Sequence, residues 1–189
     1  LGLAKGDTVA LLSTNRVEIV ETMFALAKTG IVGLPLNYRL APDEMLDLMR
    51  TLGANALVSE AGFAEVAERA ARELSTLRQR VQIGGDPAPG VLGYEALLAD
   101  APDAEPQAEV GEADTFYYNL TSGTSGLPKC YSLTQYNNAL AGLMFPAMEL
   151  SSRDVVLTVF PMFGRVGYCW ALGSLSYGIP NVLANFDAG

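Results

Sequence analysis

The sequence predicts an α/β fold, with mostly parallel sheets covered by helices on both faces. Three observations point there. Short apolar runs alternate along the chain with helix-length stretches whose apolar positions recur at the helical period. Gly, Pro and Asn stand at the boundaries between them. Half of the 189 residues are hydrophobic, enough for a sizeable core.

The first apolar run, Thr8–Leu12, follows Gly6-Asp7 and has the length of a buried strand. Asn15-Arg16-Val17-Glu18 has capping-box spacing, Ile19, Val20, Met23, Phe24 and Ala27 form one apolar face, and Gly30 suits the left-handed residue after a helix. Residues 31–36 read as a second strand. Pro42 opens a second helix, with Asp43 and Glu44 in its first turn and Met45, Leu46, Leu48, Met49 and Leu52 turned inward. Residues 56–59 follow as a third strand and 63–77 as a third helix.

Residues 84–112 carry Pro87, Pro89, Pro102 and Pro106 among small and acidic residues, and read as a surface excursion with one short helix at 94–98. This divides the chain into an α/β portion at 1–83, an excursion at 84–113 and a second α/β portion at 114–189. Thr115–Leu120 resumes as a strand. Thr134 is a fair N-cap for a helix running through Leu140, Leu143 and Met144. A buried strand at 155–160 stops at Pro161, a helix spans 166–177 despite Gly173, and Asn181–Leu183 is a last strand.

Acidic residues outnumber basic ones by 21 to 12, for a net charge of -9, which disfavours nucleic acid as a partner but not a nucleotide held by a local donor cluster. The chain has no His, so Ser-His-Asp and Cys-His nucleophilic schemes and most zinc sites are excluded. Cys130 and Cys169 fit neither a metal spacing nor a disulfide framework, and each reads as a small buried hydrophobe in a reducing cytoplasm. The most apolar stretch, residues 155–180, is broken by Arg165, four glycines and Pro161, so no membrane span is expected. No secretory signal is read at the start. The opening Leu1-Gly2-Leu3 suggests that the sequence begins inside a longer chain.

The segment Thr121-Ser122-Gly123-Thr124-Ser125-Gly126-Leu127-Pro128-Lys129 offers little to a core. Its hydroxyls, its glycine backbone and its lysine could wrap a phosphate; the same composition also suits a polar turn between a strand and a helix. It is not a Walker A loop, because Gly126 and Lys129 are not adjacent. A dinucleotide-binding module is disfavoured because no Gly-x-Gly-x-x-Gly follows the first strand.

Residues 118–129 resemble the phosphate-loop motif of the adenylate-forming superfamily, which includes acyl- and aryl-CoA ligases, luciferases and the adenylation domains of peptide synthetases. Thr-Ser-Gly-Thr-Thr/Ser-Gly-x-Pro-Lys is matched at every defined position. Residues 26–37, ending in Pro35-Leu36-Asn37, and residues 154–163, leading to Pro161-Met162-Phe163, resemble two further stretches of that family. The resemblance covers nearly the whole chain and implies the first half of a large N-terminal domain.

The resemblance implies a two-step reaction. A carboxylate attacks the α-phosphate of Mg-ATP to give an acyl-adenylate and pyrophosphate, and a thiol, often that of CoA, then takes the acyl group. Thr121, Ser122, Gly123, Thr124, Ser125, Gly126 and Lys129 would hold the ATP phosphates; Phe163 and Gly164 would border the acyl pocket. The cofactors implied are ATP, Mg²⁺ and CoA as acceptor, with a small carboxylic acid as substrate. The family's segments for adenine, Mg²⁺ and ribose, and the Lys of its small C-terminal domain, have no match in these residues. No catalytic residue or metal ligand is therefore expected here, and this stretch alone should be inactive and prone to self-association through exposed apolar surface.

Three positions depart from the family pattern. Cys130 replaces a Gly after the loop lysine, and its thiol is expected to be buried. Gln135 replaces a His, which reads as a surface change of small effect. Gly164 replaces a His of the acyl- and aryl-CoA ligases, which predicts a roomier or less polar acyl site. Two rival readings are a non-catalytic nucleotide-binding homologue, motivated by Cys130 and Gly164, and a phosphotransferase.

Overall fold

The structure, a computed structural model, describes residues 1–120 and 129–185. Its main element is a seven-stranded sheet in the order β5-β4-β3-β1-β2-β6-β7. β1 (Thr8–Leu12) lies at the centre, parallel to β2 (Val32–Pro35) on one side and β3 (Ala54–Glu60) on the other. β4 (Gln79–Ile83) and β5 (Leu92–Gly93) extend the β3 side in parallel. β6 (Thr115–Leu120) joins β2 in parallel, and β7 (Cys130–Thr134) turns back along β6 in antiparallel.

Alternation along the strands separates two cores. Val9 and Leu11, with Val58 and Phe116, meet α1 (Val17–Thr29), whose Ile19, Val20, Met23 and Leu26 are buried. Ala10 and Leu12, with Leu34 and Leu57, meet α2 (Pro42–Thr51) and α3 (Ala64–Glu73) on the other face. Both faces are covered, as the apolar runs predict. α1 ends at Gly30 in the left-handed conformation, φ 67°. α2 begins at Pro42, where the Glu44 carboxylate accepts a hydrogen bond from the Ala41 N–H at 2.9 Å.

The excursion is less separate than its composition implies. β5 and α4 (Tyr94–Asp100) belong to it, and both pack on β4. The Tyr94 hydroxyl reaches back to α1, donating to the Glu21 carboxylate at 2.9 Å.

After β7 come α5 (Gln135–Gly142), α6 (Met144–Ala147), β8 (Val156–Thr158), α7 (Arg165–Ser176) and β9 (Asn181–Leu183). Thr134 caps α5 as expected, its hydroxyl accepting from the Asn137 N–H at 3.2 Å. β8 and β9 form a separate parallel pair. α7 lies between this pair and the large sheet: Tyr168, Ala171 and Leu172 enter the core beside α1, while Trp170 packs edge-on against Phe145 of α6 at 5.4 Å. Leu157 and Val182 of the small sheet, and Val155 just before it, are more than half exposed. No helix among the described residues is long and apolar enough to cross a membrane.

Asn15 does not cap α1. Arg16 occupies the cap position with extended backbone and no side-chain cap bond. The buried Asn15 amide instead donates from Nδ2 to the Phe160 carbonyl at 3.0 Å and the Ala184 carbonyl at 2.9 Å. Its Oδ1 accepts from the Met162 N–H at 2.8 Å. The side chain is worth more as a tie between the end of β1 and the second layer than as a local cap.

Glu60, at the end of β3, anchors the same corner. It accepts from the Ser13 hydroxyl, from the Thr14 N–H and hydroxyl, and from Arg16. Burial alone would push its carboxyl up, but these donors outweigh it and hold the group below the ordinary glutamate value of 4.5. A carboxylate depressed on folding stabilises above its unfolded value and loses that contribution as pH falls through its folded value. Glu60→Gln should cost about 1–3 kcal/mol at neutral pH. The gap from wild type should narrow as pH falls below 4.5 in urea titrations; a gap independent of pH would contradict this.

Candidate functional site

The hydrogen-bond ladder between β6 and β7 brings Leu120 and Cys130 directly opposite each other. The two residues that flank the segment 121–129 are thereby held together at the C-terminal end of β6. Ligands in parallel α/β sheets gather at the C-terminal ends of the strands. Thr121, Ser122, Gly123, Thr124, Ser125 and Gly126, the expected phosphate ligands, lie outside the described residues. Lys129 is described, and stands exposed one residue before β7.

Phe163 and Gly164 stand at the start of α7. Phe163 packs edge-on against Tyr38 at 5.1 Å and lines a small crevice with Ser13, Thr14, Pro35 and Leu36, at the ends of β1 and β2. Gly164 is the N-cap of α7. A Cβ added there would meet only the Pro161 carbonyl oxygen, at 3.5 Å, so the position is open. Gly167, one turn on, is the opposite case. Its Cβ would run into the carbonyl oxygens of Phe160 and Pro161, the latter at 2.5 Å, so only glycine lets α7 sit this close to the segment that precedes it.

A polar cluster joins the hairpin to α7. Tyr117 and Asn119 share one face of β6 by the two-residue strand period, and Tyr131 of β7 is paired directly with Asn119. Arg165, Tyr168 and Cys169 share one face of α7 by the three- and four-residue helical spacing. The two faces meet: Arg165 Nη1 donates to the Tyr117 hydroxyl at 2.8 Å, and the Tyr117 and Tyr168 rings lie 4.3 Å apart. Burial pushes the Tyr117 phenol up to about 12, against the opposing effect of Arg165. Burial likewise raises the Tyr168 phenol. Both phenols are therefore neutral hydrogen-bonding groups at physiological pH.

No motif in the sequence marks Tyr117, Asn119 or Tyr168, and Arg165 stands out there only as an interruption of an apolar stretch. That interruption was the available signal, since a lone guanidinium in the most apolar part of a chain needs a partner.

Two expectations are corrected. Cys130 is exposed rather than buried, because β7 is an edge strand whose first three residues are all exposed. Partial covering of its sulfur still pushes the thiol above its ordinary value, so it is no activated nucleophile. Gln135 is more than a surface change. Half-buried, it donates from Nε2 to the Ala27 carbonyl at 3.2 Å, satisfying one of the open carbonyls near the end of α1.

Comparison with known proteins places these features in context. The family model described as AMP-binding enzyme matches residues 1–188. A long-chain-fatty-acid–CoA ligase of Mycobacterium tuberculosis is 30% identical over 100% of this chain and 37% of its own length. A crotonobetaine/carnitine–CoA ligase of Salmonella arizonae is 32% identical over 97% of this chain and 37% of its own length. The chain thus spans roughly a third of the length of these curated relatives. Among solved structures, the inhibitor-bound N-terminal domain of FACL13 from Mycobacterium tuberculosis superposes with a TM-score of 0.87 at 30% identity, covering 99% of this chain and 46% of that one.

Proposed function

The chain belongs to the AMP-binding enzyme family, and on that premise we propose that it forms the N-terminal part of an ATP-dependent acid–CoA ligase. The observation that carries this reading is the sequence motif at 121–129, which follows β6 directly in a chain the family model matches over residues 1–188.

In the first step a carboxylate oxygen bonds to the α-phosphorus of ATP and the bond to the β-phosphate oxygen breaks, leaving acyl-adenylate and pyrophosphate. In the second the CoA thiol bonds to the acyl carbon and AMP departs. Two anions must approach in the first step, so alignment and charge neutralisation matter more than a covalent protein nucleophile. The hydroxyls of Thr121, Ser122, Thr124 and Ser125, the amides of Gly123 and Gly126 and the Lys129 ammonium are the groups of this chain suited to hold the departing phosphates. Mg²⁺ would supply further neutralisation on the nucleotide. Phe163 and the open position at Gly164 would border the acyl group. Both cysteines are free, which supports a reducing cytoplasm as the place of action.

The test uses the full-length protein with Mg-ATP, CoA and a panel of carboxylic acids, with the nucleotide product identified. Acid-dependent AMP and pyrophosphate are expected. ADP would replace this reading with a phosphotransferase, and no acid-dependent cleavage across the panel would replace it with a nucleotide-binding homologue that does not catalyse.

A further inference from the structure

The relatives act on acids as different as long-chain fatty acids and crotonobetaine, so the acid is better sought in this chain's own side chains. We propose that Arg165, with the donors around it on β6 and α7, binds a second carboxylate on the acid, so that the enzyme activates dicarboxylic acids; this rests on the ligase reading above.

Among the described residues the cluster has more donors than acceptors and no carboxylate paired with its guanidinium. Arg165 has five N–H donors, and among the described residues its side-chain hydrogen bond goes to the Tyr117 hydroxyl. Among the described residues no Asp or Glu forms an ion pair with it, although most of the other basic residues have such partners. Two neighbours are buried and unsatisfied. Asn119 is 3% exposed and Tyr168 is 2% exposed, yet Asn119 Nδ2 and the Tyr168 hydroxyl have no hydrogen-bond partner among the described residues. Buried polar groups left this way are rare in native proteins and call for an explanation. One acceptor with two oxygens would satisfy the guanidinium and these neighbours together.

The geometry favours a carboxylate carried by the acid. A planar guanidinium takes a carboxylate through two parallel hydrogen bonds, which fixes orientation as well as charge. An apolar acyl tail laid here would strip water from a half-buried cation and return nothing. Arg165 directly follows Phe163 and Gly164, the residues read as the border of the acyl pocket, and Gly164 leaves the space beside it open. The missing side chain at Gly164 gives room, and the next residue gives that room a positive charge.

The experiment compares straight-chain dicarboxylic acids with monocarboxylic acids of matched length as substrates of the full-length protein, following AMP release. The best dicarboxylic acid should exceed its match in kcat/KM by at least about a hundredfold, within the discrimination of up to about 10⁴-fold open to a site whose polar groups go unpaired with the wrong ligand. Arg165→Gln should collapse that ratio towards one, mainly through KM for the dicarboxylic acid. Arg165→Lys, which keeps the charge without the fork, should fall between. A readout independent of turnover is thermal stabilisation of the full-length protein by the free dicarboxylic acid without ATP, present in wild type and absent in Arg165→Gln. Should Arg165→Gln fail to fold, Arg165→Lys and Tyr117→Phe carry the comparison. Acid-dependent AMP formation with no preference for dicarboxylic acids, or a preference unmoved by these variants, would overturn this proposal and leave the ligase reading standing. Absence of AMP formation with every acid would overturn the ligase reading and this proposal with it.

Discussion

Gly167→Ala should destabilise the protein by about 3 kcal/mol or more, at the upper end of what overpacking costs. In an ordinary helix the same change would stabilise by up to about 1 kcal/mol, because alanine is the better helix former. Here the added methyl would meet the main-chain carbonyl oxygens of Phe160 and Pro161, and neither can swing aside as a side chain would. Relief requires α7 to move away from the segment that leads into it, which separates Met162 and Tyr168 from the core beside α1. Gly173→Ala is the informative comparison. Its methyl would meet the Phe145 ring at 2.5 Å, a side chain with some freedom to adjust, so the loss should be smaller. Urea unfolding of the three proteins decides; an unchanged or higher midpoint for Gly167→Ala would refute the close approach.

The second large effect is expected at Asn15. Asn15→Ala removes the hydrogen-bond partners of the Phe160 and Ala184 carbonyls and of the Met162 N–H. With about 1–3 kcal/mol for each buried group left unpaired, and water able to reach the two carbonyls more easily than the amide, the loss should be about 3 kcal/mol. For a chain of this size that lowers the melting temperature by roughly 6–12 °C. Asn15→Asp separates the roles within the amide: it can still accept from Met162 but cannot donate to the carbonyls, so it should not rescue. The damage should concentrate in the second layer, with amide exchange accelerating in β8 and α7 before β1 and β3. A loss under about 1 kcal/mol would show that the tie is incidental.

The buried elements were legible because burial writes itself into residue type. β1 and β2 are continuous apolar runs and α1 and α2 carry apolar residues at the helical period, so a sheet covered on both faces could be expected from them. The weakly buried elements were not. Gln79-Arg80-Val81-Gln82-Ile83 alternates, but only Val81 and Ile83 enter the core, and β7 is an open edge with three exposed residues. Edge strands draw their stability from a neighbour's hydrogen bonds, which leave no mark on composition. Asn15 misleads for a related reason, since its cap spacing is a local signal while its partners lie 145 and 169 residues away. Of the candidate site, the loop motif and the residues Phe163 and Gly164 stand out in the sequence only through its family resemblance, and their roles are proposals. The Arg165 and Tyr117 contact could not, because it joins the period of a strand to the period of a helix across 48 residues.

The sheet order also sets a folding sequence. β1 to β4 pair with partners brought close by short crossovers, whereas β6 must return to β2 across about 84 residues, from Tyr117 to Gly33. Closing so long a loop costs about 4 kcal/mol on the logarithmic scaling, before any of its contacts offset the loss. A chain emerging from the ribosome can thus assemble the central parallel strands first, and dock the hairpin with α7 behind it as a late step. The strand that leads into the motif at 121–129 is then among the last to be secured, so the end of the sheet proposed to face the nucleotide takes shape on a platform that is already folded.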